Sequence, residues 1–374
     1  LRQFGIKIDE YATHHHSHMA GGYYTSPFED AMTLTVDAIG EMETMSIWDN
    51  EKMIGRQQYP ISLGLLYSAV TQRIGLKPNE EEYITMGMAA YGKPRYTTFI
   101  KENWLKRNNH KGVPNNDLTW ATDYDLAASV QKVYEDELSK IVKKHCKKIN
   151  LVISGGCALN CVANSNLKRN IWIMPNPGDS GSALGCIPAI TKQKLNWKGP
   201  FLGQDIPGEY PVDSIIKELK ANKMVGVANG RAEFGPRALG NRSLLADPRG
   251  PEVKDMVNAI KKRQKFRPFA PAILLEDVHE YFDMPQETSP YMQFVGTCKY
   301  PKEFPAIIHA DGTSRVQTVT KEDNEGFYNL LKEWKRQTGC PILLNTSLNI
   351  KGKPMVNDKR DGQDFERKYN VKVV

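Results

Sequence analysis

The chain has 374 residues, 40% of them hydrophobic and 25% charged, with a formal net charge of +7. That length fits two domains better than one, and no apolar run reaches the roughly 18 residues that would span a bilayer as a helix. The basic surplus is modest and scattered, with only short clusters such as Lys143-Lys144 and Lys261-Lys262-Arg263, so charge argues against a nucleic-acid-binding protein.

Taken in chain order, residues 31–39 and 45–48 read as paired strands separated by Gly40 and polar residues. Residues 62–74 carry apolar side chains at helical spacing, with Ser62 as N-cap. Residues 124–144 form a second long amphipathic segment, and the apolar run 150–154 leads into Gly155-Gly156. Around 198–211 the sequence turns rich in Gly and Pro, which marks a linker. Beyond it come a helix at 213–222, a strand at 224–228, a helix at 253–262 and a strand at 271–275. The pattern is α/β, with one domain over 1–197 and a second over 198–374. Six cysteines make no disulfide framework in a chain this long. Cys157 and Cys161 lack a second pair at zinc-site spacing, so free thiols in a reducing cytosol are expected. No basic n-region precedes an apolar stretch, and a cytoplasmic location is the expectation.

Four stretches carry chemistry. In Thr13-His14-His15-His16-Ser17-His18, His14 and His18 are four apart; on a helix they share one face and can chelate one metal ion. A surface histidine run is the alternative. Gly155 and Gly156, after a strand, allow close backbone approach to phosphates, and Asn160 offers an amide; a simple turn would look similar. Asp179 stands among glycines, where a carboxylate can reach a metal or a ribose, or close an Asx-turn. Finally, residues 230–243 hold Arg231, Arg237 and Arg242 between glycines and a proline. That is a poor design for a helix or strand and a good one for a loop presenting guanidinium forks to phosphate. Arg267, beside Pro268, and Arg315, after Gly312, repeat the theme. Lys351 follows an apolar strand in a polar turn.

These stretches, with Pro-Ile-Ser-Leu-Gly at 60–64, Met-Gly-Met-Ala-Ala-Tyr-Gly at 86–92, Glu-Phe-Gly-Pro-Arg-Ala-Leu-Gly at 233–240, Phe-Arg-Pro-Phe-Ala-Pro at 266–271 and Leu-Asn-Thr-Ser at 344–347, resemble the O-carbamoyltransferase family of nodulation-factor, aminoglycoside and cephalosporin enzymes. The resemblance spans nearly the whole chain. It implies a partial actin/hexokinase/Hsp70-like ATPase domain followed by a YrdC-like α/β domain. It further implies a divalent metal, iron in such enzymes, held by His14, His18 and Asp179, and a nucleotide near Gly155, Gly156 and Asn160. Arg237, Arg267 and Arg315, with Arg231, Arg242 and Lys351, would bind carbamoyl phosphate and ATP. His15 would be an acid or base toward a small-molecule acceptor hydroxyl, or a shaper of the metal loop.

The implied chemistry makes carbamoyl adenylate from carbamoyl phosphate and ATP, then carbamoylates the acceptor. A tRNA threonylcarbamoyl-transfer enzyme and a non-catalytic nucleotide-binding subunit are the competing readings. The sequence departs from the family in four places. A Gly-rich hairpin that relatives carry ahead of the histidines is not in the sequence, which implies a fragment or a separate chain supplying it. The link between Asn166 and Ile171 is short, Thr13 replaces an Asp, and Lys351 stands where relatives tend to have Arg.

Overall fold

The structure, a computed structural model, describes Gly5 and residues 7–374 and divides the chain into two units, residues 1–197 and 198–374. In the first unit, helix α1 (His14–Thr25) precedes an antiparallel meander of β1 (Met32–Gly40), β2 (Glu43–Asp49) and β3 (Lys52–Gln58). Helices α2 (Leu63–Arg73), α3 (Glu82–Ala89), α4 (Thr97–Asn103) and α5 (Asp123–His145) follow. Strand β4 (Asn150–Ser154), helix α6 (Cys161–Ser165), strand β5 (Asn170–Trp172), and short helices α7 (Asp179–Ser182) and α8 (Cys186–Thr191) complete it. The sheet runs β3-β2-β1-β4-β5, with β4 and β5 parallel to β1.

Strand β1 is central, and six consecutive residues from Met32 to Asp37 are buried. This is why it reads as an apolar and Thr run rather than an alternating one. Helix α1 lies against β4, and Ser154 Oγ donates to the His18 carbonyl at 2.6 Å. Met19, Ala20, Tyr23 and Tyr24 of α1 pack with Trp48 and Val152 in one core. The N-caps follow the sequence: Ser62 Oγ accepts from Leu65 N, and the Thr122 side chain accepts from Asp125 N.

The second unit contains β6 (Phe201–Ile206), α9 (Val212–Asn222), β7 (Met224–Ala228), β8 (Gly230–Glu233), β9 (Arg242–Ala246), α10 (Glu252–Lys261) and β10 (Ala270–Leu274). After these come α11 (Val278–Tyr281), β11 (Phe282–Asp283), β12 (Phe294–Cys298), β13 (Thr313–Val319), α12 (Glu325–Thr338), β14 (Ile342–Ser347) and α13 (Lys359–Tyr369). Seven strands form one sheet in the order β11-β12-β13-β10-β14-β9-β7. One core packs α10 and α13 residues such as Val253, Val257 and Phe365 on one face. A second packs Ile215, Leu219, Leu331 and Trp334 of α9 and α12 on the other.

Two expectations change here. The 198–211 stretch is not all linker, because its residues 201–206 form β6, paired with β8. The arginine-rich 230–243 stretch is a loop only in its middle, since Gly230–Glu233 is strand β8 and Arg242 opens β9. Among the described residues, no helix is long and apolar enough to cross a membrane.

Candidate metal centre and anion site

Four side chains of the first unit converge. His14 and His18, one turn apart on α1, bring their Nε2 atoms within 3.1 Å. Asp37 Oδ2 lies 3.2 Å from each of them. Asp179 Oδ1, from the first turn of α7, is 3.2 Å from His18 and 3.5 Å from His14. All four ligand atoms fall within 4.8 Å of one another. Metal–ligand bonds of about 2.1 Å imply ligand–ligand edges of about 3.0 to 3.4 Å, so the donors are spaced as an ion's coordination shell would be. Two imidazoles and two carboxylates suit a divalent first-row metal.

Burial alone would lower the His18 pKa, but hydrogen bonds and charge from Asp179 and Asp37 raise it to about 9. Asp37 is buried, yet His14 and His18 hold its carboxyl far below the usual range. A proton thus holds together, in the metal-free chain, what a cation would hold in the loaded one. Asp179 is 73% exposed in its side chain, so the cluster opens to solvent on that side.

Asp37 was not among the expected ligands. It lies where the β1–β2 register slips between Val36 and Gly40, an irregularity that re-aims a side chain. The signal was available: a carboxylate inside a buried strand is costly unless it is paired or ligates.

Gly155 and Gly156 lie beside this cluster. Gly155 has φ +87, and a Cβ on it would collide with the Val36 carbonyl. Its N–H donates to Pro177 O at 2.9 Å, which joins the loop to the segment leading to Asp179. A Cβ on Gly156 would meet Asp37 Oδ1 at 3.2 Å, so this loop approaches the metal ligands with backbone alone.

Asn160 has a different task from the one expected. Its Oδ1 caps α6 through Ala163 N at 3.0 Å, and its amide exchanges hydrogen bonds with Gln131 at 2.9 and 3.1 Å. His15, read as an acid or base or as a shaper of the metal loop, lies in the interior. It is 2% exposed, with Nδ1 2.9 Å from Ser46 Oγ, and burial lowers its pKa to about 4. A buried ring bonded to Ser46 favours the shaping role beneath the ligand cluster.

In the second unit, β9 and β10 both run antiparallel to β14, and β13 runs parallel to β10. Strands β9, β10 and β13 therefore begin at one end of the sheet, where β14 finishes. Arg267 precedes β10 by three residues, Arg315 is the third residue of β13, and Lys351 follows β14. The loop bearing Arg237 reaches the same end, because Leu239 O accepts from Gln317 of β13 and Ala238 O from Asn345 of β14.

Lys261, at the end of α10, joins them. Its ammonium donates to Ser347 O at 2.8 Å, Ser347 Oγ at 3.2 Å and the side chain of Asn349. Burial, then the charges of Arg263 and Arg267, lower its pKa to about 7. Its acceptors are all neutral, so Lys261 with these arginines is a cation cluster suited to an anion. In the sequence Lys261 stands only as part of the short basic cluster Lys261-Lys262-Arg263.

Three of the expected anion ligands are engaged otherwise. Arg242 is fully buried, and its guanidinium donates to the carbonyls of Asn229, Gly230, Asn241, Gln204 and Asn357 at 2.8 to 3.3 Å. Its Nε has no partner but is buried, so the side chain faces the protein's own carbonyls and ties segments together. Arg231 is exposed and donates to Leu202 and Gly203 across the β6–β8 pair. Lys351 is exposed and donates to Lys262 O at 2.9 Å.

The first unit thus carries a His/Asp cluster with ligand-like spacing and the second a sheet end where basic residues gather; residues 4–187 match the carbamoyltransferase N-terminus family and residues 216–374 the carbamoyltransferase C-terminus family. The chain belongs to this family and is a carbamoyltransferase enzyme.

Among its relatives, the uncharacterized protein sll1178 of Synechocystis is 34% identical over 447 aligned positions, covering 93% of this chain and 72% of the relative. The nodulation protein NolO of Bradyrhizobium diazoefficiens is 32% identical, covering 93% of this chain and 74% of its own length. The nodulation protein NolNO of Sinorhizobium fredii is 31% identical over 96% of this chain, which spans 62% of that protein. Each of these alignments is longer than the 374 residues of this chain. The relatives therefore carry internal segments that this chain lacks.

Proposed function

We propose that the chain is an ATP-dependent O-carbamoyltransferase working in two stages. In the second unit, water and carbamoyl phosphate give carbamate and phosphate. The carbamate oxygen then attacks the α-phosphorus of ATP, releasing pyrophosphate and leaving carbamoyl adenylate. An acceptor hydroxyl next attacks the carbamoyl carbon in the first unit, forming the O-carbamoyl product as AMP departs and the hydroxyl proton is lost. Lys261, Arg267, Arg315 and Arg237 bind and orient the phosphoryl oxygens, since phosphoryl transfer needs positioned cations more than a side-chain nucleophile.

His14, His18, Asp37 and Asp179 would hold a divalent metal, iron by the family resemblance. Such an ion supplies Lewis-acid anchoring of nucleotide oxygens. The Gly155-Gly156 backbone would lie against the nucleotide phosphates. The first unit is read as a partial actin/hexokinase/Hsp70-like domain, with its mixed sheet and glycine loop in support, and the second as YrdC-like. The acceptor is a small molecule bearing a hydroxyl.

The observation that carries this reading is the cation cluster around Lys261 in a chain of the carbamoyltransferase family. The test is pyrophosphate release from ATP with and without carbamoyl phosphate, for the wild-type chain and Arg237→Ala. Release should require carbamoyl phosphate and be lost in the variant. Release independent of carbamoyl phosphate would overturn the adenylation stage.

A further inference from the structure

The residue before the pinned part of the loop is Arg237, and what does the pinning is a carboxylate. Glu233 ends β8 and is 8% exposed. Its Oε1 accepts three backbone N–H groups: Leu239 at 2.7 Å, Asn241 at 3.0 Å and Arg242 at 3.1 Å. Amides converging in this way form the kind of concavity that binds external anions in other proteins. Here the chain supplies its own anion, from a residue six to nine positions earlier.

The opposite side of the loop is held as firmly. Gln317 Nε2 donates to Leu239 O at 3.2 Å, and Asn345 Nδ2 donates to Ala238 O at 3.0 Å and to Gln317 Oε1 at 2.7 Å. Gly240 N donates to Ser243 Oγ at 3.0 Å, and Gly240 O accepts from Tyr210 at 2.8 Å. Residues 238–242 therefore form a rigid shelf whose polar backbone is hydrogen-bonded to buried side chains. Pro236 fixes its own φ on the other side of Arg237. An arginine whose backbone is set this way meets an anion without first losing loop entropy.

Burying a carboxylate is costly. Desolvation does raise the Glu233 pKa, while the three amides counter it. A buried acid retained only for stability could be replaced by apolar packing at little loss. A buried acid that fixes one loop conformation could not.

We propose that Glu233 and Gln317 are positioning residues for Arg237: they shape the 234–241 loop and touch no substrate, yet set the affinity for the phosphoryl group that Arg237 binds. This rests on the reading above, in which Arg237 is an anion ligand.

The test is a double-mutant cycle on the full chain, with carbamoyl phosphate binding read by calorimetry and folding checked by thermal melting. Glu233→Asp withdraws the acceptor by one methylene and should weaken binding about tenfold, the equivalent of about 1.4 kcal/mol. Glu233→Gln keeps an acceptor oxygen in place and should restore most of that loss. In the Arg237→Ala background, Glu233→Asp should have no further effect, because its influence passes through Arg237. Equal weakening by Glu233→Asp in both backgrounds, or wild-type binding by Glu233→Asp, would overturn the proposal alone. Wild-type binding by Arg237→Ala would overturn it together with the anion-site reading. Should Glu233→Asp fold poorly, Gln317→Met removes the opposite pin and is judged by the same cycle.

Discussion

The Nε2 atoms of His14 and His18 face each other at 3.1 Å, with Asp37 Oδ2 3.2 Å from both. Two imidazole nitrogens and a buried carboxylate so close together need a cation between them, either a proton or a metal. The chain is expected to bind one divalent ion. Asp37→Ala should weaken retention by about two orders of magnitude, comparable to or beyond what loss of a supporting residue costs at such sites. Metal analysis after dialysis against graded chelator measures this. Equal retention by Asp37→Ala and wild type would remove Asp37 from the ligand set.

Gly40 extends the argument from ligands to the space they occupy. A Cβ on Gly40 would run into the His14 ring, although Gly40 itself is no ligand. Gly40→Ala should therefore lower metal retention with all four ligands intact, while circular dichroism reports an unchanged fold. If Gly40→Ala holds metal as tightly as wild type, the His14 ring is freer to shift than its packing indicates.

Local patterns made much of this architecture legible. Alternation and apolar runs located β1, β2 and β4 within a residue or two, and Ser62 announced α2 because capping is a property of adjacent residues. The His14–His18 spacing placed both ligands on one helix face for the same reason. What stayed hidden was long-range. Asp37 meets His14 only because β1 passes beside α1, and Lys261 meets Ser347 across 86 positions. Arg242 misled because an arginine among glycines looks alike whether it faces a ligand or five carbonyls. Only burial separates the two cases.

Lys261 offers a pH test. Its folded pKa of about 7 lies below the ordinary 10.5. Between those values the unfolded chain holds a proton that the folded chain does not, so this group's contribution to stability rises with pH across the window and is lowest below about 7. Anion binding runs the other way. A bound phosphoryl group favours the ammonium, so binding takes up a proton above pH 7 and affinity falls as pH climbs. Calorimetry at pH 8 in buffers of different ionisation heat should detect that uptake in the wild type. It should vanish in Lys261→Arg, which stays charged. The same uptake in both proteins would assign it elsewhere.

Arg242 separates architecture from ligand binding. Its buried guanidinium reaches carbonyls in β6, the β7–β8 connection, the start of β8, the loop before β9 and the segment before α13. A lysine offers one ammonium in place of a planar fork and would leave several of these buried acceptors unmet. Arg242→Lys should therefore lower unfolding free energy by about 3 kcal/mol or more, read as a drop in the urea midpoint at unchanged slope. Arg237→Ala, by contrast, removes a half-buried side chain at a loop edge and should shift that midpoint little while abolishing carbamoyl-phosphate-dependent pyrophosphate release. The contrast is what the measurement reads: of two arginines five residues apart, one is expected to matter for folding and the other for binding. If Arg242→Lys unfolds at the wild-type urea concentration, its carbonyl contacts do not hold these segments together, and Arg242 returns to the candidates for nucleotide binding.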